Sequence, residues 1–410
     1  MVLVEKHDIK RSSKWYKELD KLCYLSKNLY NATLYTIRQY FFQEKKCLGY
    51  NQVNKQFQDE NNPDYRALPS KVAQQTQKLV AQNFTSFFAL MKKKSAGQYD
   101  KPVRIPKYLD KTKGRQVVHY TSQAVSFNCK TVPQGYIKLS GTEILIKTKV
   151  DNVQFVRVIH KGYKIVIEVG YKKEIAVKSP SKEKFAAIDI GLNNLATVTF
   201  SDEKGFIVNG KPLKSINQYF NKKYSQMKSK QNLSVSRRMQ KMSNKRSNKI
   251  TDYLHKASRY IVNQLVSKRV TDLVIGHNKG WKQDINIGKV NNQNFVSIPF
   301  NRLIEMISYK SELSGIRIHL QEESYTSKAS FLDLDNIPTF DAAKVDFEKH
   351  KFSGRRVKRG LYKSKDKLLI NADVNGSLNI MRKYLQVAEK NILFNFVEAS
   401  SAPAVFTVKL

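Results

Sequence analysis

Three consecutive apolar segments in the second half of the chain constrain its fold more than any other feature. They are "FAAIDIG", "LATVTF" and "GFIVNG", within residues 185–210, and the short turns between them predict a three-stranded meander. A strand, "DLVIGHN", a helix, "PFNRLIEMISYKSELSG", a strand, "IRIHLQEES", and a last helix, "NADVNGSLNIMRKYL", follow in that order. A meander followed by strands that alternate with helices predicts an RNase H-like α/β domain.

Asp189 stands in the middle of the first of these strands, in "AAIDIGLNNLATV". A carboxylate in an apolar run is costly to desolvate unless a metal ion or hydrogen bonds compensate for the lost water. We therefore expect Asp189 to belong to a set of carboxylates whose other members come from distant parts of the chain.

The first half of the chain has two different patterns. Residues 11–98 have apolar positions at helical spacing, which predicts the core stripes of a small bundle. The stripes comprise Leu19, Leu22, Leu25, Leu29, Leu34, Val80, Phe84, Phe87, Phe88 and Met91. From about residue 103 to 178, short β-branched and aromatic runs between Gly and Asn predict an antiparallel barrel or sheet.

The charge balance indicates the partner. Lys and Arg number 73 against 34 acidic residues, which gives a net charge of +39. Neutralising phosphates releases condensed counterions, so a polyanion is the natural partner of such a chain. An anionic membrane is the alternative, but no basic amphipathic helix or lipidation motif supports it.

The basic residues concentrate between Lys211 and Val270, where 16 Lys or Arg accompany a single acid, Asp252. Charges of one sign repel one another unless a polyanion neutralises them, although a solvated helix face is the simpler alternative. The residues that we expect to contact phosphate are Arg237, Arg238, Lys241, Lys245 and Arg246. Such contacts supply affinity and not sequence recognition.

Cysteine usage and the N-terminal sequence indicate a soluble intracellular protein, which we expect in the cytoplasm. The three cysteines, Cys23, Cys47 and Cys129, are widely scattered, which excludes a zinc cluster of four cysteines. The segment "MVLVEKHDIKRSSK" has no signal-peptide core, and no run of about 18 apolar residues occurs.

The order of these motifs resembles the TnpB family of transposon-encoded proteins, relatives of the type V CRISPR effectors. "AIDIGLNNLATV" resembles the first RuvC motif of that family, and "NADVNGSLNI" resembles the third, with Asp373 in the place of its catalytic aspartate. Tyr325, Thr326 and Ser327 match the segment that leads into the zinc ribbon of the family. The resemblance implies a guide RNA, a double-stranded DNA target beside a short adjacent motif, and cleavage by a RuvC site.

The resemblance also implies a multidomain α+β chain with a helical recognition lobe, an antiparallel β-barrel wedge domain and an RNase H-like (RuvC) nuclease domain. The expected boundaries are 1–10 with 99–180 for the wedge, 11–98 for the recognition domain, 181–384 for the nuclease domain, about 211–270 for its basic helical insert, about 327–370 for a degenerate zinc ribbon, and 385–410 for a C-terminal tail.

The sequence departs from the family in two places. The zinc-ribbon region contains no cysteine and one histidine, His350, so we expect no zinc. The second RuvC motif normally places a glutamate at the end of the fourth strand, where this chain has Gly276. Without that carboxylate the protein could be a nuclease-deficient, RNA-guided repressor. A DNA-strand-transferring transposase is a third alternative.

We expect a displaced glutamate to replace the missing one. Two-metal cleavage requires acidic oxygens from several elements around two Mg²⁺ ions. Glu322 and Glu323 end the fifth strand, which in an RNase H-like sheet lies about 4.8 Å from the fourth. Side chains alternate along a strand, so one of the two faces the metals. We predict Asp189, Glu323 and Asp373 as catalytic metal ligands, with Glu322 as the reserve.

Three glutamines are candidates for reading the adjacent motif. Gln74 and Gln75 lie in the helix "SKVAQQTQK", and Gln123 lies in "YTSQAVS". Glutamine can bond bidentately to adenine in the major groove, which suits an A·T-rich motif. Ordinary surface glutamines are the alternative, and the resemblance, which implies motif reading in this region, favours the functional interpretation.

Overall fold

The chain divides into two units, Met1–Glu174 and Ile175–Leu410. The structure is a computed structural model that describes residues 1–127, 129–175, 183–230, 235–278, 292–293, 296–339 and 350–409. None of the helices in these ranges combines the length and the apolar character that a membrane crossing requires.

The helices of the first unit form around the apolar stripes. They are α1 (Tyr16–Glu44), α2 (Tyr50–Asp59), α3 (Pro63–Arg66) and α4 (Ser70–Ser95). Val80 and Phe84 are buried on α4, as predicted, whereas Phe88 and Met91 are 36% and 40% exposed. The prediction that these last two are core residues is wrong, because α4 extends beyond the part of the helix that packs on the core.

The strands of the first unit form two antiparallel sheets. They are β1 (Val2–Lys10), β2 (Val118–Thr121), β3 (Val125–Phe127), β4 (Tyr136–Leu139), β5 (Leu145–Lys147), β6 (Val153–His160) and β7 (Lys164–Lys172). The orders are β1-β7-β6-β2 and β3-β4-β5. Pairing along the whole of β1 with β7 ties the N-terminal residues to the later strands.

The predicted wedge barrel is not found, because these sheets do not close among the described residues. Closure requires each strand to pair on both sides around the full circle. Among the residues that the structure describes, β1 and β2 are the edges of one sheet, and the short strands β3–β5 pair only with one another.

The second unit is built on a six-stranded mixed sheet. Its strands and those of a smaller sheet are β8 (Phe185–Asp189), β9 (Asn194–Phe200), β10 (Phe206–Asn209), β11 (Asp272–Gly276), β12 (Arg317–Gln321), β13 (Arg355–Lys358), β14 (Leu361–Lys363), β15 (Leu369–Asn371) and β16 (Ala404–Phe406). The large sheet has the order β12-β11-β8-β9-β10-β16. β8, β9 and β10 form the predicted antiparallel meander, and β11 lies parallel between β8 and β12.

Helices cover both faces of this sheet. They are α5 (Lys211–Ser229), α6 (Arg237–Ser267), α7 (Phe300–Glu312), α8 (Ala372–Val387) and α9 (Phe396–Ser400). Phe185 and Ala187 of β8 pack in the cluster that contains α8, and Ala186 and Ile188 pack in the cluster that contains α6 and α7. Because side chains alternate along a strand, Asp189 lies on the face that α8 covers.

The predicted basic insert, 211–270, is only partly an insert. Tyr253, Leu254, Ile261 and Leu265 on the C-terminal half of α6 are buried in the core of the second unit. The apolar residues of this half therefore form part of the core. The basic residues are concentrated on α5 and the first turns of α6. Residues 231–234 lie outside the described residues.

The predicted degenerate zinc-ribbon region contains the small sheet β13-β14-β15, and its residues 340–349 lie outside the described residues. An apolar cluster that includes Phe331, Tyr362 and Ile370 fills the interior of this region. The Ser353 hydroxyl donates to Asp333 and Asp335 at 2.9 and 2.7 Å. Side-chain packing and hydrogen bonds hold this region together, and the lack of zinc stays a prediction.

The predicted C-terminal tail is part of the sheet. β16 pairs in parallel with β10, and the ring of Phe406 stacks on Tyr260 with 3.6 Å between ring centroids. No sequence pattern predicts this strand, because three residues are too few to show a periodicity.

Removing the ring of Phe406 is therefore expected to destabilise the second unit. For Phe406→Ala we expect a loss of about 2 kcal/mol in the free energy of unfolding, from lost apolar packing and lost ring stacking. Urea denaturation measures it. Val405→Ala is the matched control, since Val405 is 66% exposed and its truncation costs little. Equal losses in the two variants would contradict the stacking argument.

Candidate active site

Asp189 ends β8 next to helix α8. Its Oδ2 lies 3.2 Å from the position that a β-carbon of Gly376 would take, so the glycine on α8 permits this close approach. Burial, followed by the carboxylates of Glu323 and Asp373, raises the pKa of Asp189 to about 8, and Arg356 opposes the shift. Asp189 is therefore close enough to Glu323 and to Asp373 to be affected by both of their charges.

Glu323 follows β12 and reaches towards β11. Its Oε2 lies 2.6 Å from the position that a β-carbon of Gly276 would take, so the carboxylate fills the space that the glycine leaves. Burial, and then the neighbouring Glu322, raises the pKa of Glu323 to about 7. The structure thus places the predicted displaced glutamate beside the strand end at which the usual one is missing.

Asp373 lies in the first turn of α8, which Asn371 caps by accepting from the backbone N–H groups of Asp373 and Val374. The Asn194 side-chain amide donates to Asp373 Oδ2 at 2.5 Å. The Arg356 guanidinium lies 3.3 Å from Asp373 Oδ1. Asp373 is therefore held by polar side chains from β9 and β13.

Glu322, the predicted reserve ligand, has a different partner. Its Oε2 accepts a hydrogen bond from Lys383 Nζ at 2.5 Å. Burial alone would raise its pKa, but the hydrogen bonds from Lys383 and Ser324 outweigh burial and lower the pKa of Glu322. Glu322 is thus paired with Lys383, although its carboxylate still acts on the adjacent Glu323.

The chemistry of this donor set fits a hard divalent cation. Mg²⁺ binds through carboxylate oxygens, and a divalent charge would relieve the repulsion that raises the pKa of Asp189. Within the described residues, no three His, Cys, Asp or Glu side chains lie in an arrangement that could hold a metal ion. The carboxylates therefore fit by donor type and charge, and not by a closed coordination sphere.

Three residues beside the carboxylates were missed in the sequence. Arg356 lies in "SGRRVKRGLYKSK", within the expected degenerate zinc-ribbon region, and Asn194 lies in the first motif. The Asn278 side chain bonds to Glu323. Each contact joins segments that are far apart in sequence, so no local pattern could have predicted it.

The basic residues predicted to contact phosphate differ in their surroundings. Four of them are exposed on the first turns of α6: Arg237, Arg238, Lys241 and Lys245. The guanidinium of Arg246 donates instead to Asn217 Oδ1 at 2.7 Å and to the Ser297 carbonyl at 3.1 Å, and burial lowers its pKa. Arg246 is therefore held by protein contacts, and phosphate binding at the other four stays a prediction.

Replacing these four exposed residues together with glutamine is expected to weaken nucleic-acid binding in a salt-dependent way. Each lost phosphate contact lowers the slope of log K against log salt by about 0.7–0.9, so four contacts lower it by about 3. Filter binding at several salt concentrations measures the slope. Arg246→Gln, the control, is expected to lower the melting temperature and to change the slope little. An unchanged slope in the fourfold variant would refute the assignment.

The three candidate motif-reading glutamines lie on neighbouring elements of the first unit. Gln74 and Gln75 are partly exposed on α4, and Gln123 is exposed in a single 3₁₀ turn, Ser122–Ala124, that packs against α4. The role of the three glutamines stays a prediction.

Comparisons with known proteins give two family matches. The OrfB_IS605 family, described as "probable transposase", matches residues 164–282, and the Cas12f1-like TNB domain family matches residues 300–380. The TnpB-like protein ORF457 of Acidianus two-tailed virus is 22% identical over 420 residues, which cover 92% of this chain and 85% of that protein. Together these matches support the assignment of the chain to the TnpB family.

Solved structures of CRISPR effectors are also similar. A Cas12f1–sgRNA–target DNA complex matches with a TM-score of 0.35 and 14% identity, over 92% of this chain and 98% of that chain. The mini-RNA-guided endonuclease CRISPR-Cas phi3 matches with a TM-score of 0.48 and 9% identity, over 93% and 92%.

Proposed function

We propose that the protein is an RNA-guided DNA endonuclease and that its second unit is a RuvC-type, RNase H-like nuclease domain. The observation that carries this proposal is the convergence of Asp189, Glu323 and Asp373 from β8, from the segment after β12 and from the start of α8. Carboxylates that repel one another in a partly buried site cost stability, and a metal-dependent nuclease requires such a set.

In this proposal Asp189, Glu323 and Asp373 hold two Mg²⁺ ions. Such ions activate the attacking water and stabilise the leaving oxygen in phosphodiester cleavage. Gly276 and Gly376 keep the space around the carboxylates free of side chains. Asn194 orients Asp373, and the partly exposed guanidinium of Arg356 lies where it can pair with a DNA phosphate.

The proposed partners are a guide RNA and double-stranded target DNA. The net charge of +39 and the exposed basic residues at the start of α6 support a polyanionic partner. The guide RNA follows by analogy with the complexes of the relatives. Base pairing would then read the target, and the first unit, with Gln74, Gln75 and Gln123, would read a short adjacent motif.

A nuclease-deficient, RNA-guided repressor is the second candidate, because Gly276 replaces the family's usual glutamate. The position of Glu323 over Gly276 favours the nuclease, since it returns a carboxylate to the same place. The two candidates share every binding property and differ only in cleavage.

Purification with the RNA from the native locus, followed by a cleavage assay, tests the proposal. The substrate is a plasmid that carries the guide-matched target beside a randomised motif, with Mg²⁺ present. Cutting that requires both the matched target and the RNA supports the endonuclease. Target binding without cutting would support the repressor, joined DNA products would indicate a transposase, and a preparation without RNA would refute RNA guidance.

A further inference from the structure

Glu322 and Glu323 are adjacent in the chain, yet their side chains contact different parts of the second unit. The Glu322 carboxylate accepts from Lys383 on α8, and the Glu323 carboxylate lies over Gly276 of β11. The side chains that contact the segment after β12 determine which of the two glutamates reaches Asp189 and Asp373.

Lys383 fixes the Glu322 side. It is 2% exposed, and its Nζ donates to Glu322 Oε2 at 2.5 Å, to the Ser324 carbonyl at 3.1 Å and to the Pro338 carbonyl at 3.0 Å. A buried ammonium group is tolerated when its hydrogen bonds are satisfied. Because Lys383 lies on α8, whose first turn contains Asp373, it ties the glutamate segment to the same helix.

Asn278 fixes the Glu323 side. Its Nδ2 donates to Glu323 Oε1 at 3.2 Å, and its Oδ1 accepts from the Glu323 backbone N–H at 3.1 Å. A side-chain amide offers both a donor and an acceptor, so one residue can orient the backbone and the carboxylate together. Asn278 follows β11 closely, and it therefore brings Glu323 to the strand end at which Gly276 leaves space.

We propose that Asn278 and Lys383 are positioning residues that select Glu323, and not Glu322, as the glutamate of the metal centre. Lys383 engages Glu322 and anchors the segment to α8, and Asn278 holds Glu323 towards Asp189. This inference rests on the proposed function, because it assigns a supporting role to residues around the same carboxylates.

Mn²⁺ binding tests the role of Asn278 without relying on turnover. Bound Mn²⁺ is measured by electron paramagnetic resonance on the protein–RNA complex with a non-cleavable phosphorothioate target. The Asp189→Asn complex supplies the background from ions on the nucleic acid. For Asn278→Ala we expect Mn²⁺ binding about 10–100-fold weaker, the usual effect of losing a residue that orients a metal ligand.

Asn31→Ala is the matched control for stability. Asn31 makes the same reciprocal pair of hydrogen bonds, donating to the Leu109 carbonyl and accepting from the Leu109 N–H, both at 2.9 Å. It is expected to lower the melting temperature about as much as Asn278→Ala does, and to leave Mn²⁺ affinity unchanged.

Lys383 is tested with two variants. Lys383→Met removes the cation and is expected to weaken Mn²⁺ binding about tenfold or more, and Lys383→Arg keeps the charge and is expected to restore part of the affinity. Wild-type Mn²⁺ affinity in both Asn278→Ala and Lys383→Met would overturn the inference. Wild-type affinity in Glu323→Gln would instead overturn the proposed ligand set itself, so the two failures are distinguishable.

Discussion

Replacing Glu323 with glutamine is expected to abolish metal-dependent DNA cleavage while RNA and target binding stay intact. The amide keeps the size of the side chain over Gly276 but supplies no negative charge to the metal ions. A metal ligand contributes several kcal/mol to the transition state, so we expect the cleavage rate to fall by about 10³-fold or more. Single-turnover cleavage of a labelled duplex in Mg²⁺, with gel-shift binding alongside, measures both properties.

Two further variants calibrate this result. Asp189→Asn is expected to cause a loss of the same order, because Asp189 belongs to the same carboxylate cluster. Glu322→Gln is expected to cause a much smaller loss, because Glu322 is paired with Lys383. Cleavage at the wild-type rate by Glu323→Gln would show that Glu323 is not a metal ligand. An equal loss of cleavage in Glu322→Gln would show that the two glutamates do not differ in role.

Adding a methyl group at Gly276 is expected to slow DNA cleavage. A β-carbon there would lie 2.6 Å from Glu323 Oε2 and 2.6 Å from Ile380 Cδ1, closer than real atoms approach. Both of these side-chain ends must move, which displaces the Glu323 carboxylate, and overpacking of this kind costs about 1–3 kcal/mol. For Gly276→Ala we therefore expect cleavage about 10–100-fold slower, measured in the same single-turnover assay.

The same position offers a rescue experiment. In a Glu323→Ala background, Gly276→Glu returns a carboxylate to the end of β11 and is expected to recover part of the lost cleavage. Gly49→Ala serves as the control for adding a methyl group, since its nearest neighbour would lie at an ordinary 3.7 Å. Wild-type cleavage by Gly276→Ala would show that Glu323 does not use this space.

The pattern of the sequence was sufficient to predict the parts of the site that depend on regular structure. Asp189 was placed by the apolar strand around it, and the neighbouring positions of β11 and β12 follow from strands alternating with helices. Because β12 lies beside β11, a glutamate at the end of β12 could replace the one missing at Gly276. The alternation of side chains along a strand meant that only one of Glu322 and Glu323 could do so. The structure brings Asp189, Glu323 and Asp373 together, and their catalytic role stays a prediction.

The parts that could not be predicted depend on contacts between distant segments. We infer that Lys383 and Asn278 select Glu323 over Glu322 as the metal ligand. No local sequence pattern predicts the hydrogen-bond partner of either residue. Arg246 belonged to a basic run, yet its contact with Ser297 turns it into a structural residue. The prediction of a closed barrel was wrong for a similar reason, since strand propensity does not determine which strand edges pair.

The position of β16 at the edge of the large sheet has a consequence for synthesis on the ribosome. Met1–Glu174 can complete its sheet once β7 is translated, but β10 stays an open edge until residues 404–406 emerge. At about 5–20 residues per second, the roughly 190 residues between β10 and β16 take on the order of 10–40 s to translate. Throughout that interval the nascent sheet of the second unit exposes an unpaired strand edge, and it is then most open to misassembly.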